Sequence, residues 1–241
     1  MKKFLAVILG VIVVLLIAAG AFVQFVAPNA LTNYLKDRVI FFTKAQEVEL
    51  SLDSLPDAKL AFGYVDDLRC TASDATIGEL NLKKVNLEGT TLNINIKEII
   101  FPTEGISREE HTDRCLTSAG SLELSGVITA ESLSKFLAEK IDRLESPQVT
   151  MTPQGISVSS NVKIINRTTG VKIGGQIVAR DGDLFFHLEN INIENAILRR
   201  VNLDRFLNDL NLTQSVKMPF GLKFRTVEMR EGEAFVKATR D

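Results

Sequence analysis

Residues 80–94 read Leu-Asn-Leu-Lys-Lys-Val-Asn-Leu-Glu-Gly-Thr-Thr-Leu-Asn-Ile, and apolar residues recur there at every second position with two interruptions. The interruptions are Lys83-Lys84 and Glu88-Gly89-Thr90. A period of two is typical of a strand that has one apolar face and one wet face. The same alternation occurs over residues 47–53. Both stretches therefore predict half-buried strands of an antiparallel sheet.

Similar alternating stretches, separated by turns, continue to the C-terminus. They predict strands over residues 121–128, 148–152, 156–166, 171–180, 184–193, 222–229 and 234–238. Helical spacing of apolar residues occurs after Pro28, between the N-cap candidate Thr129 and Ser146-Pro147, and over residues 195–210. Together these patterns predict an α+β fold, with a long, twisted, mostly antiparallel sheet and a few helices laid along it.

The N-terminus has the features of a targeting segment. Two lysines precede a run of 20 uncharged residues, Phe4–Val23, which at about 1.5 Å per residue can span the ~30 Å apolar core of a bilayer. Residues 1–27 are either an uncleaved signal anchor, which the length favours, or a signal peptide cleaved near Ala19-Gly20-Ala21. Either interpretation places the body, residues 28–241, outside the cytoplasm. The protein is then a single-pass inner-membrane protein, or it is secreted or periplasmic.

The body has no linker rich in proline or serine, so we expect it to form a single domain. Its first helix would carry Leu31, Leu35, Val39 and Phe42 on one face. Such a face either rests on lipid or packs on the domain, and packing is the commoner arrangement.

The chain has two cysteines, Cys70 and Cys115. In an exported protein an even pair predicts a disulfide, which here would pin a polar loop over residues 102–120. The alternative is that they are two unrelated buried thiols.

The composition argues against several classes of function. Lysine and arginine number 28 against 30 acidic residues, which gives no general field for nucleic acid. Only two histidines are present, so metal centres and histidine-based catalysis lack residues. Glu110, His111, Asp113 and Cys115 could meet at a metal, but a solvated polar loop is the simpler interpretation. We therefore predict no enzyme activity, no metal and no cofactor.

The apolar residues are mainly aliphatic, with 14 Phe, 2 Tyr and no Trp. A groove that is lined by such side chains, with few polar groups, suits an acyl chain. The candidate lining residues, chosen by their places on predicted helices and strands, are Phe136, Leu137, Phe185, Phe206 and Phe220. The alternative is that these residues fill an ordinary core.

Four segments of the body have a distinctive pattern: Phe62-Gly-Tyr-Val-Asp-Asp-Leu-Arg69, the stretch from Asp74 through Ile77-Gly78 to Gly89, Leu122–Leu137, and Lys217-Met-Pro-Phe-Gly-Leu-Lys-Phe224. These segments resemble the LmeA-like phospholipid-binding family. Their order and spacing extend the resemblance over residues 28–239. The segment Ser54–Phe62 departs from the family pattern, and the two cysteines are not part of it.

The resemblance implies a tubular lipid-binding fold, in which a curved sheet wraps one or two helices around an apolar cavity. It also implies a bacterial envelope protein that binds phospholipid or a related lipid at a membrane, for lipid transfer or envelope maintenance. The main alternative is a membrane-anchored structural or protein-interaction module without a ligand. A hydrolase or transferase acting on envelope glycolipids is a third candidate, but no pair of carboxylates stands out for it.

Overall fold

The computed structural model describes most of the body of the chain. The described residues are 32, 33, 35–37, 39, 40, 43–141, 144–164, 167–193, 209–213 and 218–240. The predicted targeting segment 1–27, nearly all of the predicted helix 195–210, and Leu31, Phe42 and Phe206 lie outside them.

The larger of two sheets has seven antiparallel strands in the order β1-β2-β3-β5-β12-β11, with β4 paired to β3. Its strands are β1 (Glu47–Asp53), β2 (Tyr64–Ile77), β3 (Leu80–Ile94), β4 (Leu116–Ser118), β5 (Ser121–Thr129), β11 (Leu222–Arg230) and β12 (Glu233–Arg240). The N- and C-terminal parts of the body meet in it, because β12 pairs with β5.

The smaller sheet has the order β10-β9-β8-β7-β6 and is also antiparallel. Its strands are β6 (Leu144–Thr152), β7 (Gly155–Ile164), β8 (Arg167–Arg180), β9 (Asp183–Ile193) and β10 (Leu210–Asn211). The α+β class and the antiparallel pairing are thus confirmed, but the described strands form two sheets where the sequence predicted one long sheet.

The interruptions in the alternation keep the apolar residues of β3 on one face. Leu82 and Val85 are buried, whereas Lys83-Lys84 between them are exposed. Thr90-Thr91 are also both exposed, and Thr91 has a positive φ of 52°. Each polar pair shifts the alternation by one residue, while the pairing of β3 with β2 stays in register. We call the side of the larger sheet that carries the buried residues its inner face, and the opposite side its outer face.

Short helices accompany the sheets: α1 (Ile96–Ile100), α2 (Arg108–Cys115) and α3 (Ala130–Lys140). Thr129 is the N-cap of α3, as predicted, and its side chain accepts a hydrogen bond from Ser132 N. The predicted end of this helix at Ser146-Pro147 is wrong. The helix stops at Lys140, and Pro147 lies in β6, where the pairing with β7 is irregular.

Helix α2 lies within the segment that was predicted to be a loop. Ser107 caps this helix by accepting a hydrogen bond from Glu110 N. The first predicted helix is confirmed where it is described, and Leu35, Val39 and Ile40 pack partly buried against the core. This agrees with packing on the domain. Within the described ranges, no helix is long and apolar enough to cross a bilayer.

One core joins both sheets to α3. Leu82 and Val236 of the larger sheet, Leu133 of α3, and Met151 and Leu184 of the smaller sheet belong to it, and all are at most 1% exposed. Backbone hydrogen bonds of 3.0 Å also cross between the sheets, from Phe224 N to Gly182 O and from Gly232 N to Met151 O. The sheets therefore form a single packed unit.

Candidate functional site

The inner face of the larger sheet is apolar across four neighbouring strands. Residues that stand side by side in register on β1, β2, β3 and β5 form two rows: Leu50, Cys70, Leu87 and Leu124 in one, and Leu52, Leu68, Gly89 and Leu122 in the other. Neither row contains a charged or hydrogen-bonding side chain other than the Cys70 thiol. Because paired residues in a sheet point to the same side, the two rows make one continuous surface.

Part of this surface is accessible. Leu50, Leu68 and Leu87 are partly exposed. Cys70, which lies between Leu50 and Leu87, and Leu124, which lies beside Leu87, are each 6% exposed. Leu50, Leu68 and Leu87 pack against the core and remain partly exposed, so they offer an aliphatic surface of the kind that an acyl chain contacts. We call the two rows together the leucine face.

Gly89 lets the side chains of the leucine face approach one another closely. A Cβ atom at this position would lie 3.0 Å from Leu122 Cδ1 and 3.1 Å from Leu92 Cδ2. Two leucine side chains therefore already fill the space over Gly89, and no void remains there.

The outer face of the same sheet is polar. Arg69, Glu88 and Glu123 stand next to each other in register there, and Lys237 Nζ lies 2.7 Å from Glu123 Oε1. An open cleft of about 400 Å3 lies here, lined by charged residues such as Asp67 and Arg69 and also by Leu68, Gly89 and Leu122 of the leucine face. Its charged residues make this cleft a more polar surface than the leucine face.

The structure separates the predicted lining residues. Phe136 and Leu137 lie side by side on α3, are 3% and 1% exposed, and belong to the core. Phe185 alternates with the buried Leu184 and Phe186, so it lies on the other side of the smaller sheet. There the Arg180 guanidinium stands 4.3 Å above its ring.

Phe220 is partly buried in the turn Pro219–Gly221, and its N–H donates to Asp113 Oδ1 at 3.0 Å. Phe206 lies outside the described residues. The structure thus brings together Phe136 and Leu137 but not Phe185.

Both cysteines are present as thiols, so the predicted disulfide is not formed. Cys70 stands opposite Leu87 on β3, whereas Cys115 precedes Leu116, which stands opposite Ile94 on the same strand. The seven residues from Leu87 to Ile94 correspond to about 23 Å of strand at ~3.3 Å per residue. A disulfide requires Cα atoms within about 7 Å. Burial also raises the pKa of the Cys70 thiol to about 11.

The polar residues around Cys115 form a structural network. Glu98 accepts hydrogen bonds from Thr103 N and Thr103 Oγ1, both at 2.9 Å, and these bonds lower the pKa of its carboxyl group. His111 Nε2 lies 3.1 Å from Glu98 O, and His111 Nδ1 lies 3.9 Å from Cys115 Sγ. In the part of the chain that is described, no three His, Cys, Asp or Glu side chains are placed to hold a metal ion. The network ties α1 to α2.

The sequence prediction missed the leucine face as a site. Its residues on β1, β3 and β5 were identified as strand residues, and the alternation contains the signal that they share one side. Strand β2, with Leu68 and Cys70, was not predicted. Their partial exposure depends on what packs over each strand, which alternation alone does not report.

The described fold and the leucine face define an α+β protein with a partly exposed aliphatic surface on an antiparallel sheet. A family model for LmeA-like phospholipid-binding proteins matches residues 18–239. The chain belongs to this family. No curated protein and no solved structure matches the chain.

Proposed function

We propose that this protein binds a phospholipid by laying an acyl chain on the leucine face, and that it transfers or retains this lipid in a bacterial envelope. Membership of a phospholipid-binding family supports the class of ligand. The observation that carries the site is the partial exposure of Leu50, Leu68 and Leu87 within an otherwise buried apolar surface.

The proposal requires no reaction on the lipid, so we propose a binder and not an enzyme. Burial of an acyl chain contributes about 0.8 kcal/mol for each CH₂ group removed from water. A few methylene groups on the leucine face therefore give useful affinity without a strong headgroup contact. The lysines before the uncharged run Phe4–Val23 support a location outside the cytoplasm, at the inner membrane or released from it.

The experiment compares two adjacent positions on opposite faces of β3. Leu87→Gln places an amide on the leucine face, and Glu88→Gln places the same side chain on the polar outer face. The full chain and both variants are extracted in mild detergent, and bound lipid is measured by native mass spectrometry. We expect phospholipid on the wild type and on Glu88→Gln, and a several-fold loss on Leu87→Gln.

Circular dichroism melting checks that each variant is folded. Equal lipid content in two folded variants would show that the lipid lies elsewhere. A wild-type protein that stays free of lipid after incubation with phospholipid vesicles would instead favour the alternative, an envelope module without a ligand. The tight packing of Phe136 and Leu137 in the core is compatible with that alternative.

A further inference from the structure

Bulky apolar side chains are exposed together at one end of the larger sheet. Leu55, Phe62, Tyr64 and Phe101 are 83%, 69%, 53% and 77% exposed, and within the described ranges they are the large apolar residues that face mostly to solvent. We call these four residues the apolar tip. Single exposed apolar residues are common on protein surfaces, but a group of four marks a site of interaction.

Hydrogen bonds hold three of the four in one short loop. Ser54 Oγ donates to Tyr64 O at 2.8 Å and accepts from Asp66 N at 3.1 Å, which closes the loop from Ser54 to Tyr64. Leu55 N donates to Asp66 Oδ2 at 2.9 Å. The loop is therefore fixed at its base while Leu55 and Phe62 extend from it.

Helix α1 brings the fourth residue to the same end. Gly63 O accepts a hydrogen bond from Ile94 N at 2.7 Å, and a Cβ atom on Gly63 would lie 3.2 Å from Ile96 Cγ1, at the start of α1. The five residues of α1 rise only about 8 Å. Phe101 follows directly and its N–H donates to Lys97 O. The tip is thus assembled from two chain segments that are packed on each other.

The chemistry of the tip fits the surface of a lipid bilayer. Leucine and phenylalanine enter the acyl region, and tyrosine is enriched at the level of the headgroups. Backbone groups that enter lipid must already be hydrogen-bonded. In the loop, Lys59 N donates to Pro56 O and Gly63 N donates to Leu60 O, both at 3.0 Å.

The position of the tip favours a bilayer over a protein partner. Leu55 is three residues beyond Leu52, and Tyr64 is four residues before Leu68, so about 10–13 Å of strand separates the tip from the leucine face. An acyl chain that leaves a bilayer at the tip would meet the leucine face next. The tip is therefore adjacent to the proposed lipid site, with Asp53 and Ser54 between them on one strand and Asp66 and Asp67 on the next.

The charges around the tip are mixed. Lys59 Nζ lies 3.0 Å from Asp66 Oδ2, while Asp57 and Lys97 are exposed. Such a balance gives little attraction to anionic lipid. Association through the tip would thus depend on burial of apolar surface, with a weak dependence on salt.

We propose that the apolar tip inserts into the surface of a phospholipid bilayer and delivers the leucine face to its lipid. This inference rests on the proposed function. It adds the place at which the protein meets the membrane.

The chain contains no tryptophan, so a single introduced tryptophan reports its own surroundings. Phe62→Trp and Phe101→Trp probe the tip. Phe235→Trp is the matched control, because it replaces a partly exposed phenylalanine on β12 that is far from the tip. Phe235 pairs with Val127 on β5, and Val127 pairs with Lys84 on β3. Lys84 lies about 30 Å along β3 from the end of the strand at the tip. Leu50→Trp probes the leucine face.

Each full-length variant is reconstituted into phosphatidylcholine vesicles whose acyl chains are brominated, since bromine quenches tryptophan on contact. A parallel sample holds the same variant in detergent with one equivalent of the brominated lipid. We expect the Phe62→Trp and Phe101→Trp variants to lose most of their fluorescence in vesicles and little in detergent. The Phe235→Trp variant should keep its fluorescence in both samples, and the Leu50→Trp variant should be quenched in both.

Each result bears on one proposal. If the two tip variants are quenched no more than Phe235→Trp in vesicles, the tip does not meet the bilayer, and a protein partner for the tip becomes the better explanation. If Leu50→Trp is unquenched in both samples, the proposed lipid site fails whatever the tip does. If Leu50→Trp is quenched and the two tip variants are not, the proposed insertion of the tip is wrong and the proposed lipid site on the leucine face is supported.

Discussion

His187 Nδ1 lies 2.7 Å from Asp209 Oδ1, next to β10, the short edge strand of the smaller sheet. The second carboxylate oxygen, Asp209 Oδ2, accepts a hydrogen bond from the Arg180 guanidinium, also at 2.7 Å. Arg180 in turn covers the Phe185 ring. Through these contacts Asp209, which directly precedes β10, binds to Arg180 of β8 and His187 of β9. The hydrogen bond from His187 and the contact with Arg180 lower the pKa of the Asp209 carboxyl group.

This lowered pKa predicts an acid-sensitive contribution to stability. The carboxyl group of an unfolded aspartate has a pKa of about 3.9. A group whose folded pKa is lower stabilises the protein above that value, and the contribution disappears as pH falls through the folded pKa. We expect Asp209→Asn to lower the free energy of unfolding by up to about 1 kcal/mol at pH 7, as for partly exposed ion pairs.

Urea denaturation at pH 7 and at successive pH values down to about 2 checks this expectation, with Asp181→Asn as an exposed control. The difference between Asp209→Asn and the wild type should shrink as the pH falls. A difference that stays constant over this range would show that the Asp209 side chain stabilises the protein by packing and not by charge.

The two cysteines should differ strongly in reactivity. Cys70 is 6% exposed and has a raised pKa of about 11, so almost none of it is thiolate at pH 8. Cys115 is partly exposed at the end of α2. Alkylation with iodoacetamide followed by mass spectrometry should label Cys115 first, and should label Cys70 only after denaturation. Failure to label either thiol before reduction would reveal the disulfide that the structure does not contain.

Local features could be predicted from the sequence more reliably than distant ones. The Thr129 cap was correct because it depends on four consecutive residues. The strands around residues 80–94 were correct because alternation reports local burial. Helix α2 was missed because it has no apolar stripe, although Ser107 and Glu110 form the Ser-x-x-Glu pattern of a capping box.

Other properties depend on contacts between distant segments. Alternation placed Phe185 and Phe186 on opposite sides of a strand, but it could not tell which side faces the core. The even number of cysteines suggested a bond, whereas the distance between Cys70 and Cys115 follows from the pairing of three strands. The exposure of the leucine face also depends on how the strands are covered.

The N-cap of α3 offers a direct test of the local prediction. Ser132 N donates to Thr129 Oγ1 at 3.1 Å. Thr129→Ala removes this acceptor and should lower the free energy of unfolding by about 1 kcal/mol. Thr129→Ser keeps the hydroxyl group and should retain most of the stability. Urea denaturation measures both, and equal losses in the two variants would assign the effect to the lost methyl group and not to the cap.

The base of the apolar tip should tolerate almost no side chain at Gly63. This glycine has a φ of +84°, and an added Cβ would lie 2.0 Å from Ile94 O. Gly105 has a similar φ of +80°, and no atom lies within 4 Å of an added Cβ. A substitution at Gly105 therefore measures the cost of the left-handed backbone conformation without a steric overlap. An L-residue in this left-handed region costs roughly 1–2 kcal/mol. We expect Gly105→Ala to show a loss of about this size.

Gly63→Ala should lower the free energy of unfolding by a further ~1–3 kcal/mol beyond the loss in Gly105→Ala. The reason is that the overlap of the new Cβ with Ile94 O forces the start of α1 away from β2. Chemical denaturation of the two variants gives the comparison. Equal losses would show that the contact between Gly63 and Ile94 is loose in solution. In that case the two segments of the tip would move independently, and Phe62 and Phe101 could not act as one surface.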